Sequence, residues 1–236
     1  KSSCWIRVAQ SDTGNGYGSV HMPRIGEEVL IDHIGGDCDR PVVISRMYSG
    51  SAAPRWHSNG RLSGYRSKEF SGNGYNQLVM DDSTSQSRLH LYSSSYRSQL
   101  HLGYLVEQSD NSRGALLGNG FDLKSDAYGA IRAGQGLFVS THSAAFNQPL
   151  DVTAATEQLA SANMVLELAS QSSASNQAES LDEGHTALKK FTDATQHNVS
   201  DNTGAGGTGN ANGFSTPIML MASPAGVCVS THDSAQ

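Results

Sequence analysis

Short runs of alternating apolar and polar residues fill the middle of the chain, and they constrain the fold more than any other feature. Within each run every second side chain faces the same way, which is the period of a β-strand. Turn residues such as Ser93–Ser95 and Gly118–Gly120 separate the runs. The apolar positions of the runs are Val79, Leu89, Leu91, Leu100, Leu102, Phe121, Leu123, Ile131, Leu137 and Val139. We therefore predict a ladder of very short strands over residues 76–141.

Strands this short need neighbours to bury their apolar side. Three or four inward side chains contribute roughly 1.5–3 kcal/mol each, which barely offsets the entropy lost in ordering the segment. The chain can wind on itself as a solenoid, or identical chains can wrap around a shared axis. The inward residues are modest aliphatic side chains with few large aromatic ones. This favours a thin prism of several copies over a wide single-chain coil.

Composition and charge exclude several classes of partner. The net charge is -6 and charged residues make up only 16% of the chain, without basic runs. A nucleic-acid partner or an anionic membrane surface is therefore not expected. We see no run of roughly 20 apolar residues that could span a bilayer, and the N-terminal residues lack the apolar core of a signal peptide. Cys4, Cys38 and Cys228 are far apart, so neither a disulfide framework nor a zinc site is indicated.

Residues 1–50 differ from the ladder because their strand-like runs are longer and their turns sharper. The runs lie at 5–8, 28–33 and 41–48, and Pro41 can sit only at the first residue of its strand. This pattern predicts a small β-barrel. The runs supply less strand than a closed five-stranded barrel needs, so we expect the N-terminus to fall inside a domain.

Several long motifs in these and the following residues resemble one known family. Trp5-Ile6-Arg7-Val8, Pro23-Arg24-Ile25-Gly26-Glu27-Glu28-Val29 and Gly36-Asp37-Cys38-Asp39-Arg40-Pro41 are similar to the oligonucleotide/oligosaccharide-binding (OB) barrel of VgrG, the valine-glycine repeat spike of type VI secretion. The family usually has proline where this chain has Cys38. Residues 62–69 and 76–82 resemble the family's passage from barrel to β-helix. The resemblance spans almost the whole chain.

The resemblance and the local patterns together predict a mainly β chain: a partial OB-fold barrel, then an intertwined trimeric β-helix (β-prism) with an inserted α-helical hairpin. The expected parts are a barrel over 1–50, a collar over 51–75, a β-helix over 76–147, a helical hairpin over 148–197, a flexible loop over 198–213 and a resumed β-helix over 214–236. In the collar, Trp56 and Tyr65 either pack against neighbouring chains or shield the barrel's edge.

The helical hairpin is predicted from a change of period. Apolar residues recur at three and four positions from Val152 to Ala169, and Asp151 can cap the start. A polar bend over 172–177 precedes a weaker helix from Ser180 to Phe191; a mobile, partly helical flap is the alternative. Beyond the loop, residues 226–232 repeat residues 136–142, GVCVSTH against GLFVSTH. The hairpin therefore reads as an insertion between rungs of a ladder that is cut off before it finishes.

The sequence shows no catalytic constellation, so we assign no catalytic, cofactor-binding or metal-binding residues. The histidines have no ligand spacing, and His90 and His101 are expected at outward, solvated or cross-chain positions. Asp81-Asp82 reads as a turn. The main alternative is a carbohydrate-active β-helix, a polysaccharide lyase or tailspike-like hydrolase, with Asp110, Asp122 and Asp126 as its available acids. A passive OB binding module is a further alternative, although the barrel lacks a stripe of aromatic and basic residues.

The resemblance implies a mechanical function rather than an enzymatic one. A VgrG-like chain is a homotrimeric, membrane-puncturing needle that carries tip and effector proteins into target cells, without cofactors. It sits on an Hcp-like tail tube at the N-terminal side and carries a PAAR-type tip and effectors or adaptors at the C-terminal side. It assembles in the bacterial cytoplasm and is then secreted by the type VI system.

Overall fold

The computed structural model describes residues 4–50, 53–54, 60–143, 148–201 and 209–230. The chain divides into two units, residues 1–129 and residues 130–236, and each is described by itself. Strands outnumber helices in the described part, so the expectation of a mainly β chain is confirmed. Trp56 of the predicted collar lies outside the described residues.

The first unit begins with a three-stranded sheet. Its strands are β1 (Arg7–Val8), β2 (Glu28–His33) and β3 (Pro41–Met47). β3 lies in the centre, parallel to β1 and antiparallel to β2. Pro41 is the first residue of its strand, as predicted, because proline has no N–H to donate to a ladder. A closed barrel around this sheet remains a prediction.

A five-stranded antiparallel sheet follows in the same unit. Its strands, in spatial and chain order, are β4 (Leu62–Arg66), β5 (Asn76–Asp81), β6 (Arg88–Ser93), β7 (Ser98–Ser109) and β8 (Ser112–Lys124). β7 and β8 are longer than the very short strands that the sequence predicts. Two register shifts, at Leu105/Val106 and Val106/Gln108, interrupt their pairing. Such irregularities bend a strand pair and increase its twist.

The far half of the β7–β8 hairpin returns over one face of this sheet. Arg66 of β4 lies 3.6 Å from Asp110 at the hairpin tip, and Asp81 of β5 lies 3.0 Å from Arg113. Gly103, with φ 92°, permits the bend, because a Cβ there would overlap the Ser87 carbonyl oxygen. The sheet therefore has one covered face and one open face.

The second unit combines strands and helices. Strands β9 (Leu137–Ser140) and β12 (Met219–Ala222) pair in parallel, and between them lie helices α1 (Thr153–Ser175) and α2 (Asp182–Thr195). The core consists of Val152 and Ala155 from the start of α1 and Leu220 and Ala222 from β12, with Phe138, Leu159, Phe191 and Phe214 packed against them. Neither helix is both long and apolar enough to cross a membrane, as judged on the described residues.

Three details of the second unit differ from the sequence predictions. The predicted flexible loop over 198–213 begins and ends in strand: β10 (His197–Asp201) pairs antiparallel with β11 (Gly209–Gly213), while 202–208 lie outside the described residues. Helix α1 continues into the predicted polar bend and ends at Ser175, whose Oγ donates to the Gln171 carbonyl at 2.8 Å. Residues 226–230 adopt no strand.

Candidate functional site

The open face of the five-stranded sheet is apolar. The strand register aligns large side chains into two rows that cross the strands side by side. The first row is Tyr65, Leu78, Leu91, Leu100 and Leu123, and the second is Met80, Leu89, Leu102 and Phe121. We call these nine residues the leucine face.

Much of the leucine face is accessible in the single chain. Phe121 is 76% exposed, Leu123 64%, Tyr65 50%, Leu91 42% and Met80 40%. A soluble protein rarely leaves so many adjoining large apolar side chains in water, and a contiguous patch of this kind marks an interaction surface. The leucine face is therefore a candidate interaction surface.

The second unit has a smaller surface of the same kind. On the pair β9–β12, Leu220 and Ala222 point into the core, whereas Val139, Met219 and Met221 are 47%, 59% and 47% exposed. The pleat of the parallel pair thus gives one side to the helices and leaves the other apolar and open. An open apolar side on each unit is consistent with association through both.

Val79 is wrongly grouped with the leucines by the alternation alone. It pairs with His90 on the opposite, covered face, and it is fully buried at 0% exposure. The side that an alternating run presents depends on turn geometry as well as on the apolar pattern, so the pattern alone predicts the period of this strand but not the side that Val79 faces.

The covered face is built from polar side chains. Gln77, Asp81, Arg88 and His101 are all less than 9% exposed. Asp81 accepts from Arg88 Nε at 2.9 Å and from Ser83 Oγ at 2.6 Å. Burial of this kind is stable only when charges are paired and hydrogen-bonded, so this polar network fixes the position of the hairpin above it.

The sequence does not identify Asp81 as a buried residue. The sequence predicts a turn at Asp81-Asp82, but Asp81 ends β5 with 1% exposure, while its neighbour Asp82 is exposed. Burial raises the pKa of the Asp81 carboxyl, and the hydrogen bonds from Ser83 and Arg88 outweigh it, so the pKa lies below its ordinary value. The carboxylate is therefore charged and serves as a structural anion.

The two histidines predicted at outward positions are on the covered face. Their rings lie 4.4 Å apart, and His101 is only 3% exposed. Burial, with the nearby His90 and Arg88, lowers the pKa of His101 to about 4, and burial also lowers the pKa of His90. Both rings are consequently neutral near pH 7 and act as hydrogen-bonding groups.

The three acids considered for carbohydrate chemistry are each held by a cation. Asp110 pairs with Arg66 at 3.6 Å, Asp122 with Lys124 at 3.1 Å and Asp126 with Arg97 at 2.5 Å. The geometry does not bring two of them together as a free acid and base. In the described part of the chain, no three His, Cys, Asp or Glu residues converge as metal ligands.

Two family models match the chain. Residues 68–197 match the model described as "Putative type VI secretion system Rhs element Vgr", and residues 1–48 match the "Type VI secretion system/phage-baseplate injector OB domain". The first covers strands β5–β8, which carry every residue of the leucine face except Tyr65, and both helices. The second covers the three-stranded sheet.

Individual relatives and solved structures agree with these models. The chain is 43% identical over 142 residues to the type VI secretion system spike protein VgrG2a of Pseudomonas aeruginosa, which is 59% of this chain and 17% of that protein. A solved structure of the Tle1 effector bound to the VgrG spike superposes with a TM-score of 0.59 at 22% identity, over 75% of this chain and 47% of the other. The VgrG spike solved by itself gives 0.57 at 21% identity, over 73% and 57%.

The chain thus spans less than a fifth of the curated relative that it matches, and the solved structures support the fold alone. The first family model, by contrast, covers more than half of the chain. On this ground the chain belongs to the Vgr family of the type VI secretion system.

Proposed function

We propose that this chain is a segment of a type VI secretion spike that acts by assembly, as a homotrimeric needle that pierces a target membrane and carries other proteins with it. The single observation that carries this proposal is the exposed leucine face. Family membership and the VgrG-like fold support it.

The leucine face supports self-association because its exposed side chains are arranged in regular rows. Its two rows cross neighbouring strands of one sheet, so a matching surface on another copy can cover all of them together. Homo-oligomers commonly close by bringing the same patch of each copy to a symmetry axis. Three copies around an axis place Leu91, Leu100 and Leu123 in a dry interior.

An intertwined trimer would also suit a mechanical task. Opening any rung of a prism shared by three chains breaks the ladders of all three at once. This raises the barrier to unfolding more than the equilibrium stability, which is the property that a needle under axial load requires. The role proposed for this segment is therefore mechanical and not catalytic.

The proposed partners follow from the family. We place an Hcp-like tail tube on the N-terminal side of the spike, and a PAAR-type tip with effectors or adaptors on the C-terminal side. The name of one solved relative, a VgrG spike bound to the Tle1 effector, supports effector carriage as a property of such spikes. The spike would assemble in the bacterial cytoplasm and then be secreted by the type VI system.

The carbohydrate-active alternative gains no support from the geometry, because its candidate acids Asp110, Asp122 and Asp126 are each ion-paired. Catalysis by such a pair needs one free carboxylate and one protonated acid at a fixed separation.

Light scattering coupled to size exclusion tests the proposal. We expect the wild type to be a trimer and Phe121→Asp to lose trimerisation, because it places a charge from each copy near the axis. Ser112→Asp is the matched control, since it adds the same charge to the same strand at the exposed hairpin tip, outside the leucine face. A monomeric wild type, or a Phe121→Asp trimer as heat-resistant as the wild type, contradicts the proposal.

A further inference from the structure

A groove of about 370 Å³ lies between the covered face of the five-stranded sheet and the returning β7–β8 hairpin. Side chains of the sheet form its floor, and residues 106–110 with Leu117 form its wall. This volume falls at the lower end of the range of roughly 300–1,000 Å³ that is typical of small-molecule sites. The groove lies on the face opposite the leucine face.

A continuous row of rings crosses the floor of the groove. The guanidinium of Arg66 lies 4.3 Å from the ring centre of Tyr75, and Tyr75 is 5.5 Å from Tyr92. The row continues from Tyr92 to His90 at 5.6 Å and from His90 to His101 at 4.4 Å. His101 is buried, but Tyr75, Tyr92 and His90 are partly exposed and offer ring edges and faces against which the C–H surface of a ring-shaped ligand can lie.

Amide groups are placed beside the rings and held by their own hydrogen bonds. Gln77 accepts from Arg66 Nε at 2.8 Å, and Gln99 donates to Asp122 at 2.6 Å and lies 3.3 Å from His90 Nε2. Gln108 lines the wall, donates to the Asp110 carbonyl at 3.0 Å and accepts from Arg88 Nη2 through its Oε1. An amide has two N–H donors and two oxygen lone pairs, so each of the three amides keeps capacity beyond these bonds and offers it without adding charge.

The charges around the groove are largely balanced within the protein. Arg66 pairs with Asp110 at 3.6 Å, and Lys124 pairs with Asp122 at 3.1 Å. Neither cation is therefore free to hold a phosphate or carboxylate. Glu107 also lines the groove and makes no ion pair among the described residues. The groove thus presents rings, neutral amides and one carboxylate, and the amides and the carboxylate can all bond the hydroxyl groups of a ligand.

From this combination we propose that the groove binds a neutral mono- or disaccharide without cleaving it. The rings pack against the apolar side of the sugar, and the amides of Gln77, Gln99 and Gln108 bond its hydroxyl groups. Since the groove and the leucine face lie on opposite faces of the sheet, trimer assembly and sugar binding are independent of each other.

Titration calorimetry on the intact protein tests the proposal. The probes are cellobiose, maltose and the disaccharide of N-acetylglucosamine, with inorganic phosphate and glycine as charged comparisons. We expect at least one sugar to bind saturably below about 10 mM, and neither charged probe to do so. Failure of all three sugars at that concentration, or saturable binding of a charged probe in their place, overturns the proposal.

Two variants locate the binding. Ser109→Trp fills the groove from its wall without touching the polar network, and it is expected to weaken sugar binding at least tenfold. Ser112→Trp is the matched control, because Ser112 pairs with Ser109 across the hairpin but does not line the groove. Tyr92→Leu removes one ring of the row and is expected to weaken binding to a similar extent. Binding that is unchanged in Ser109→Trp, or equally weak in Ser112→Trp, shows that the groove is not the site.

Discussion

Nε of Arg113 lies 3.0 Å from Oδ2 of Asp81, so the returning β7–β8 hairpin is joined to the end of strand β5. The pair is not aligned as a hydrogen bond, and Arg113 Nη2 is also buried without a hydrogen-bond partner among the described residues. Asp81 therefore attracts two cations, since Arg88 Nε approaches the same oxygen at 2.9 Å. One carboxylate thus faces two guanidinium groups, of which that of Arg88 is fully buried and that of Arg113 is 20% exposed.

Asp81→Ala is expected to destabilise the chain by about 3–5 kcal/mol, because it leaves buried arginine charges without their anion. Asp82→Ala is the control, since its side chain is exposed, and we expect it to change the free energy of unfolding by less than about 0.5 kcal/mol. Urea denaturation at one fixed protein concentration measures both. Equal midpoints for the two variants would show that the network does not stabilise the fold.

The two histidines make stability depend on pH. The pKa of His101 is 6.5 when the chain is unfolded and about 4 when it is folded, so the unfolded chain binds more protons between these values. The contribution of His101 to the free energy of unfolding is therefore fully present above pH 6.5. It falls by about 3 kcal/mol as the pH drops toward 4. Denaturation midpoints at a series of pH values measure the slope. His101→Gln is expected to flatten it, and a wild type with no slope in this interval contradicts the buried, neutral ring.

Two glycines should respond in opposite directions to alanine. Gly64 has φ 144°, and a Cβ there would overlap the Leu78 carbonyl oxygen of the neighbouring strand, so Gly64→Ala is expected to cost more than about 1 kcal/mol. Gly184 lies in α2 with open space around its Cα, and Gly184→Ala is expected to gain about 0.5–1 kcal/mol from helix propensity. Thermal denaturation shows whether each variant is more or less stable than the wild type. A stabilised Gly64→Ala protein would be inconsistent with the close approach of the two strands.

Leu220 anchors β12 to the helices of the second unit. It is 5% exposed in the core with Val152 and Ala155, so Leu220→Ala is expected to cost about 2–5 kcal/mol. Leu168→Ala removes the same atoms from a 61% exposed position on α1 and should have little effect. Hydrogen exchange at the first turns of α1 should accelerate in the first variant only. Equal exchange rates in the Leu220→Ala and Leu168→Ala variants would show that Leu220 does not hold α1 in the core.

The sequence predicts well which segments are strands and which are helices, and it predicts less well which face of the sheet a given side chain lies on. Strands at Glu28–His33 and Pro41–Met47 and the two helices are visible in the pattern, because alternation and the three-four spacing follow from local geometry. Which side of the sheet Val79 and His101 face depends on turn lengths and on the return of a hairpin from about thirty positions away in the chain. That return brings Arg113 to Asp81 by a long-range contact that no local pattern contains.

The leucine face was more predictable than the polar groove. Leucines at alternate positions indicate an apolar side whether one chain or three bury it, so the leucine face follows from the pattern, apart from Val79. The groove could not be found this way, because Tyr75, Tyr92 and Gln108 come from separate segments that meet only after the hairpin bends. A signal was nevertheless present: polar residues with rings occur opposite the leucines on two successive strands, His90 and Tyr92 on β6 and His101 on β7, and Tyr75 directly precedes β5.

The parallel pairing of Leu137–Ser140 with Met219–Ala222 has a consequence for how such a chain can vary. Everything between the two strands, including both helices, leaves the β scaffold and re-enters it at adjacent positions. The parts of this segment that pack on the strands, such as Val152 and Ala155, are fixed by the core, whereas residues 174–184 at the far end of the two helices are exposed. That end can lengthen, shorten or accept foreign polypeptide while the strand pair keeps its register.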